Sequence, residues 1–157
     1  MYGIVPEEID RLVASVDYTK VLSVKAADYT AVHADIEAVM TVARPFGVPF
    51  KVIIEVGLLT DEEKVTAARL VKDSGADFVK TCTGFQPGKL SLHDGTLIRE
   101  TVGERPLIKA SGGVESLEDG VACLRAGASV VAMRHRLIDQ LAAMGWKRSS
   151  PGARGGE

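Results

Sequence analysis

The chain has 157 residues, 19 Lys and Arg against 21 Asp and Glu for a formal net charge of −2, with 46% hydrophobic and 25% charged residues. That balance excludes a disordered or collagen-like chain, and near-neutral charge offers no basic face for nucleic acid or an anionic membrane surface. No run of about 18 apolar residues reads as a membrane span, and the start lacks the basic and apolar segments of a signal peptide. Cys82 and Cys123 are too few for a disulfide framework and point to a reducing cytoplasm.

In chain order, Pro6 to Val16 predicts a short helix with Pro6 in its first turn. Lys20 to Val24 predicts a strand. Asp28 to Arg44 is a helix with Val32, Ile36, Val39, Met40 and Ala43 on one stripe. Phe50 to Glu55 is an apolar strand. Thr60 and Glu63 then form a capping box for a helix from Asp61 to Ser74, which Gly75 ends in the left-handed conformation. Asp77 to Thr81 is the next strand, followed by a glycine-containing loop and a helix from Ser91 to Val102. Leu107 to Ala110 is a strand, and Ser116 with Asp119 opens a helix that closes at Gly127. Ser129 to Met133 is a strand, and Arg136 to Met144 a last helix.

Two helix-to-strand joints nearly copy each other, Ser74-Gly75-Ala76-Asp77-Phe78-Val79 and Ala126-Gly127-Ala128-Ser129-Val130-Val131. Short apolar strands alternating with amphipathic helices predict βα units and a parallel sheet, covered on both faces. Residues 1–146 form one βα-repeat domain, with 1–25 its most divergent part. The polar tail 147–157 has the composition of a disordered segment.

Lys80 and Lys109 each stand at the carboxyl end of an apolar strand. A lysine there is costly to bury, and the carboxyl edge of a parallel sheet is where βα folds place their sites. On neighbouring strands, two ammonium groups disfavour each other's charge, and desolvation acts in the same direction. A neutral lysine can then attack a carbonyl to form a Schiff base. The alternative is that both stems snorkel to solvent. Gly84, Gly112 and Gly113 follow these strands, and backbone N–H groups in such loops can cradle a phosphate. Ordinary turn chemistry is the other explanation for each glycine. His33, His93 and His135 are scattered and make no metal site. Trp146 is expected to pack the last helix.

Val52-Ile53-Ile54-Glu55, Gly75-Ala76-Asp77-Phe78-Val79-Lys80-Thr81-Cys82-Thr83-Gly84-Phe85 and Lys109-Ala110-Ser111-Gly112-Gly113 resemble the deoxyribose-phosphate aldolase family. The resemblance covers roughly Asp28 to Gly127. It implies a TIM-type (β/α)8 barrel that cleaves 2-deoxy-D-ribose 5-phosphate reversibly to acetaldehyde and D-glyceraldehyde 3-phosphate, without metal or other cofactor. It implies that Lys80 is the Schiff-base lysine and Lys109 the cation that lowers its pKa. Ser111, Gly84, Gly112 and Gly113 would lie near the substrate phosphate, and Glu55 would make a polar contact at the barrel mouth.

Departures from the pattern stand beside these matches. The family's proton-transferring aspartate corresponds to neither Asp10, in Glu8-Ile9-Asp10, nor Asp17 by both spacing and surroundings. Ala132-Met133-Arg134-His135 replaces the family's last phosphate loop, leaving Arg134 as a substitute contact or an exposed helix-start residue. Cys82 stands where the family has Ser, on the strand face of Lys80 by two-residue alternation; a buried small thiol is the expectation, a nucleophile the alternative. A complete barrel takes about 250 residues, so about half is expected here. Open sheet edges then predict a homodimer or other self-association. The alternative is a catalytically impaired remnant, or a module that only binds phosphorylated compounds.

Overall fold

The computed structural model describes residues 24–47, 49–85, 90–133 and 135–145. Four strands, β1 (Lys51–Ile53), β2 (Phe78–Lys80), β3 (Leu107–Ala110) and β4 (Val130–Val131), pair in sequence order, all parallel. Among the described residues five α-helices accompany them: α1 (Tyr29–Ala43), α2 (Asp61–Asp73), α3 (Leu92–Val102), α4 (Leu117–Arg125) and α5 (His135–Ala143). This is a parallel α/β sheet.

The local signals act as expected. Thr60 with Glu63 and Ser116 with Asp119 close reciprocal capping boxes, and Ser91 with Asp94 forms a third. The two similar joints fold alike. Gly75 (φ 75°) and Gly127 (φ 95°) each end a helix in a left-handed turn, and Ala76 and Ala128 are buried behind them. Arg99 braces the second joint, donating to the carbonyls of Gly103 at 2.6 Å and Gly127 at 2.7 Å.

One apolar core lies between the sheet and its helices. Val52, Val79, Ile108 and Ala110 from the strands meet Ile36, Ala68, Val71 and Ile98 from α1, α2 and α3. Full burial of a side chain such as Ile108 contributes about 1.5–3 kcal/mol.

Two expectations need correction, sheet coverage and strand length. The strands alternate in burial rather than being covered on both faces: Lys51, Phe78, Lys80, Leu107 and Lys109 are half-buried, and the residues between them are buried. Period-2 geometry puts the first set on the face away from the core cluster, and Ile53 is its buried member. Regular pairing is shorter than predicted. After Ile53 the chain turns through Glu55, whose backbone is left-handed (φ 53°), into a single 3-10 turn, Val56–Leu58. The strand expected over Ser129–Met133 narrows to Val130–Val131. The strand placed at Lys20–Val24 and the helix placed at Pro6–Val16 lie outside the described residues, except that Val24 belongs to a helical turn. Trp146, Arg134 and the tail also lie outside them.

Candidate active site

β2 and β3 place Lys80 and Lys109 as register partners. Their side chains therefore leave the sheet on one face, at the carboxyl ends of adjacent strands. Lys51 shares that face one step back, opposite Phe78, and its ammonium lies 5.2 Å from the Phe78 ring centroid. Burial pushes the Lys51 ammonium below its ordinary range and the charge of Lys109 adds to this, while Asp77 opposes both. Three lysines thus share one half-buried sheet face.

Beyond the strands, the β2 and β3 ends are stitched together. Thr81 Oγ1 donates to the Ser111 carbonyl at 3.1 Å and accepts from the Ser111 N–H at 3.0 Å. Ser111 Oγ donates to the Cys82 carbonyl at 2.6 Å. Thr81, Cys82 and Ser111 are all buried. Ser111 therefore spends its hydroxyl and its N–H within the chain, and its place in the site is to hold the two strand ends in step.

This stitch brings the glycine turns together. Gly84 (φ 90°), Gly112 (φ 83°) and Gly113 (φ 66°) all have left-handed backbones, and their N–H groups donate to no other described residue. A Cβ on Gly112 would fall 2.9 Å from Cys82 Cβ and 3.6 Å from Gly84 N. Only glycine admits that approach, and the unspent donors suit an anion. A neighbouring pocket of about 190 Å³ is lined by Leu90, Ser91, Gly112, Gly113, Val114 and Cys123 among others. Neither lysine lines it, so it lies beside the lysine face and not on it.

Cys82 is not on the lysine face in any simple sense. Regular strand geometry ends at Lys80, so alternation does not extend to it. The thiol is fully buried in the cluster that holds Val79 and Ile108. Burial pushes it up to about 11, and the nearby Glu55 carboxylate adds to this against hydrogen bonding from Thr81 and Gly57. It is an unreactive core thiol at neutral pH.

Sequence reasoning reached Glu55 only as a polar contact. The side chain is 4% exposed, and Oε2 accepts from Thr83 twice, from the N–H at 3.0 Å and from the hydroxyl at 2.6 Å. The remaining histidines stand apart from the lysines. His33 lies 3.7 Å from Glu37 on α1, His93 Nε2 shares a 2.6 Å hydrogen bond with Asp61, and His135 begins α5. Asp10 and Asp17 lie outside the described residues.

No family model matches the chain. A deoxyribose-phosphate aldolase from Thermoanaerobacter pseudethanolicus is 48% identical over 106 residues, 67% of this chain and 48% of that protein. Among solved structures, the aldolase QR15 superposes with TM-score 0.70 at 28% identity, over 79% of this chain and 57% of its own. A tetrameric deoxyribose phosphate aldolase from Aeropyrum pernix gives 0.66 at 25%, over 74% and 50%. The chain spans about half the length of the curated relatives it matches.

Proposed function

We propose that this chain, homologous over two thirds of its length to the deoxyribose-phosphate aldolases, carries the lysine chemistry of a class I aldolase acting on 2-deoxy-D-ribose 5-phosphate. The observation that carries this reading is the register pairing of Lys80 with Lys109 on one face.

In this reaction the neutral amine of Lys80 attacks the aldehyde carbon of the open-chain sugar. Loss of water gives an iminium, the electron sink for cleavage of the carbon–carbon bond. The aldol hydroxyl gives up its proton as that bond breaks, and D-glyceraldehyde 3-phosphate leaves. The enamine left on Lys80 is protonated at carbon, and hydrolysis frees acetaldehyde and the amine. Lys109 disfavours the protonated form of Lys80 by like charge at close quarters. The N–H groups of Gly84, Gly112 and Gly113 hold the substrate phosphate, with Ser111 fixing the turns. For the proton-transfer role the sequence offers Asp10, Asp17 or neither, and both aspartates lie outside the described residues.

Among the described residues no helix is long and apolar enough to cross a membrane. The buried free thiols Cys82 and Cys123 suit the cytoplasmic setting we infer. Self-association belongs to the same reading, since β1 and β4 each pair on one side only among the described residues.

Trapping tests the reading. The protein is incubated with acetaldehyde and borohydride, and an ethyl group is sought on Lys80 by peptide mass mapping. The expected result is an adduct at Lys80 that Lys80→Leu abolishes. A folded sample that yields no adduct sinks the catalytic assignment.

A further inference from the structure

Glu55 combines three features that stability alone does not explain. Its backbone is left-handed without being glycine, a conformation that costs free energy and persists only where surroundings impose it. Its carboxylate is buried, which is costly without full pairing. Its bonds are uneven: Oε2 takes both donors of Thr83, while Oε1 has no hydrogen bond of ordinary geometry among the described residues and the Cys82 thiol lies close to the carboxylate. A carboxylate kept for packing would use both oxygens.

What Glu55 does hold is the exit of β2. Thr83 Oγ1, having donated to Glu55, accepts from the Phe85 N–H at 3.2 Å. Glu55 thereby pins the residue before Gly84, and Thr83 pins the residue after it. The glycine is held left-handed between two anchors, and a Cβ built on Gly112 would fall 3.5 Å from its Cα. Val56 N–H also bonds to the Thr81 carbonyl at 2.9 Å, so the left-handed step at Glu55 brings β1's exit alongside that of β2.

Resting on the aldolase reading, we propose that Glu55 is a positioning residue: by clamping Thr83 it sets the Gly84 turn against Gly112, and so tunes the site toward the phosphorylated end of the substrate. It acts through Thr83 and touches no reacting atom.

The test separates phosphate recognition from amine chemistry. Glu55→Ala removes the clamp, Glu55→Gln keeps a carbonyl that can accept from Thr83, and Thr83→Val removes the hydroxyl alone. We measure KM and kcat with 2-deoxyribose 5-phosphate and with unphosphorylated 2-deoxyribose, and acetaldehyde trapping at Lys80. Amide NMR titration with inorganic phosphate follows Gly84, Gly112 and Gly113. Glu55→Ala should raise KM for the phosphorylated sugar and weaken phosphate binding by about tenfold, the scale of a lost charge-assisted hydrogen bond. Turnover of the unphosphorylated sugar and trapping should hold, and Glu55→Gln should recover most of the loss. Equal losses on both sugars, or unchanged phosphate binding, would overturn the proposal. If Glu55→Ala does not fold, Thr83→Val gives the same contrast. The two readings fail separately: a wild type that traps no acetaldehyde refutes the aldolase assignment, and the phosphate titration still decides the role of Glu55.

Discussion

Lys80 and Lys109 stand opposite each other in parallel register, 29 residues apart in sequence and one strand apart in space. Their amines therefore rise from the same face, and in the reading proposed above charge on one opposes charge on the other. Replacing Lys109 with the isosteric, uncharged Met should move the pH profile of acetaldehyde trapping at Lys80 upward, with trapping at neutral pH falling by at least about tenfold. A profile that stays in place would mean Lys109 does not act on Lys80 by charge.

A second expectation concerns acid. Lys64 Nζ meets Asp94 Oδ1 at 2.7 Å between α2 and α3, and each side chain is about nine-tenths buried. Burial alone would raise the Asp94 carboxyl, but hydrogen bonds from Lys64 and Ser91 hold it below its ordinary 3.8. Its folded value lies below its unfolded one. Its contribution is therefore complete above 3.8 and drains away as pH falls through the depressed value. Lys64 is opposite in sign. Burial lowers it, yet Asp94 and Asp61 raise it above 10.5 on balance, so its share is lost only in strong alkali. Asp94→Asn should cost about 3 kcal/mol by urea unfolding at neutral pH and flatten the stability curve below pH 4. A variant with the wild-type acid slope would contradict this.

The Cys82 thiol, raised to about 11 and fully buried, should resist iodoacetamide at pH 8 in the folded protein. Labelling should track the urea unfolding curve. Rapid labelling of Cys82 in native protein would place it outside the core.

Gly112 permits no side chain. A methyl group there meets Cys82 Cβ at 2.9 Å with φ at 83°, so two penalties combine. Gly112→Ala should destabilise by about 2 kcal/mol and weaken inorganic phosphate binding in the same NMR titration. A neutral substitution would remove the glycine turns from the site.

The outer strands supply a fifth expectation. β1 and β4 each present one unpaired edge among the described residues. Light scattering should give a solution mass that is a multiple of 16.7 kDa. A stable monomer would show that the chain covers those edges itself.

Much of this architecture could be read from local signals. Capping residues act within four positions, so Thr60–Glu63 and Ser116–Asp119 declare their helices directly. Gly75 and Gly127 announce their joints for the same reason. The lysines stood out because charge at the end of an apolar strand breaks the pattern around it. The clamp of Glu55 on Thr83 spans 28 residues, and no local rule couples two such positions. Nor could alternation decide where Cys82 goes, because it holds only while the strand lasts. Coverage of both sheet faces was inferred from apolar strands, but Lys51, Lys80 and Lys109 already marked the partly open face.

That partly open face bears on the chemistry proposed for Lys80. In that reading an iminium on Lys80 would have two exits: return to sugar and amine by hydrolysis, or onward passage through carbon–carbon scission. Water reaching a half-buried amine shortens the lifetime of the adduct and favours return. In the same reading, exclusion of water from this face would act as a commitment device. It changes the fraction of bound sugar that goes forward more than the rate at which the first bond forms.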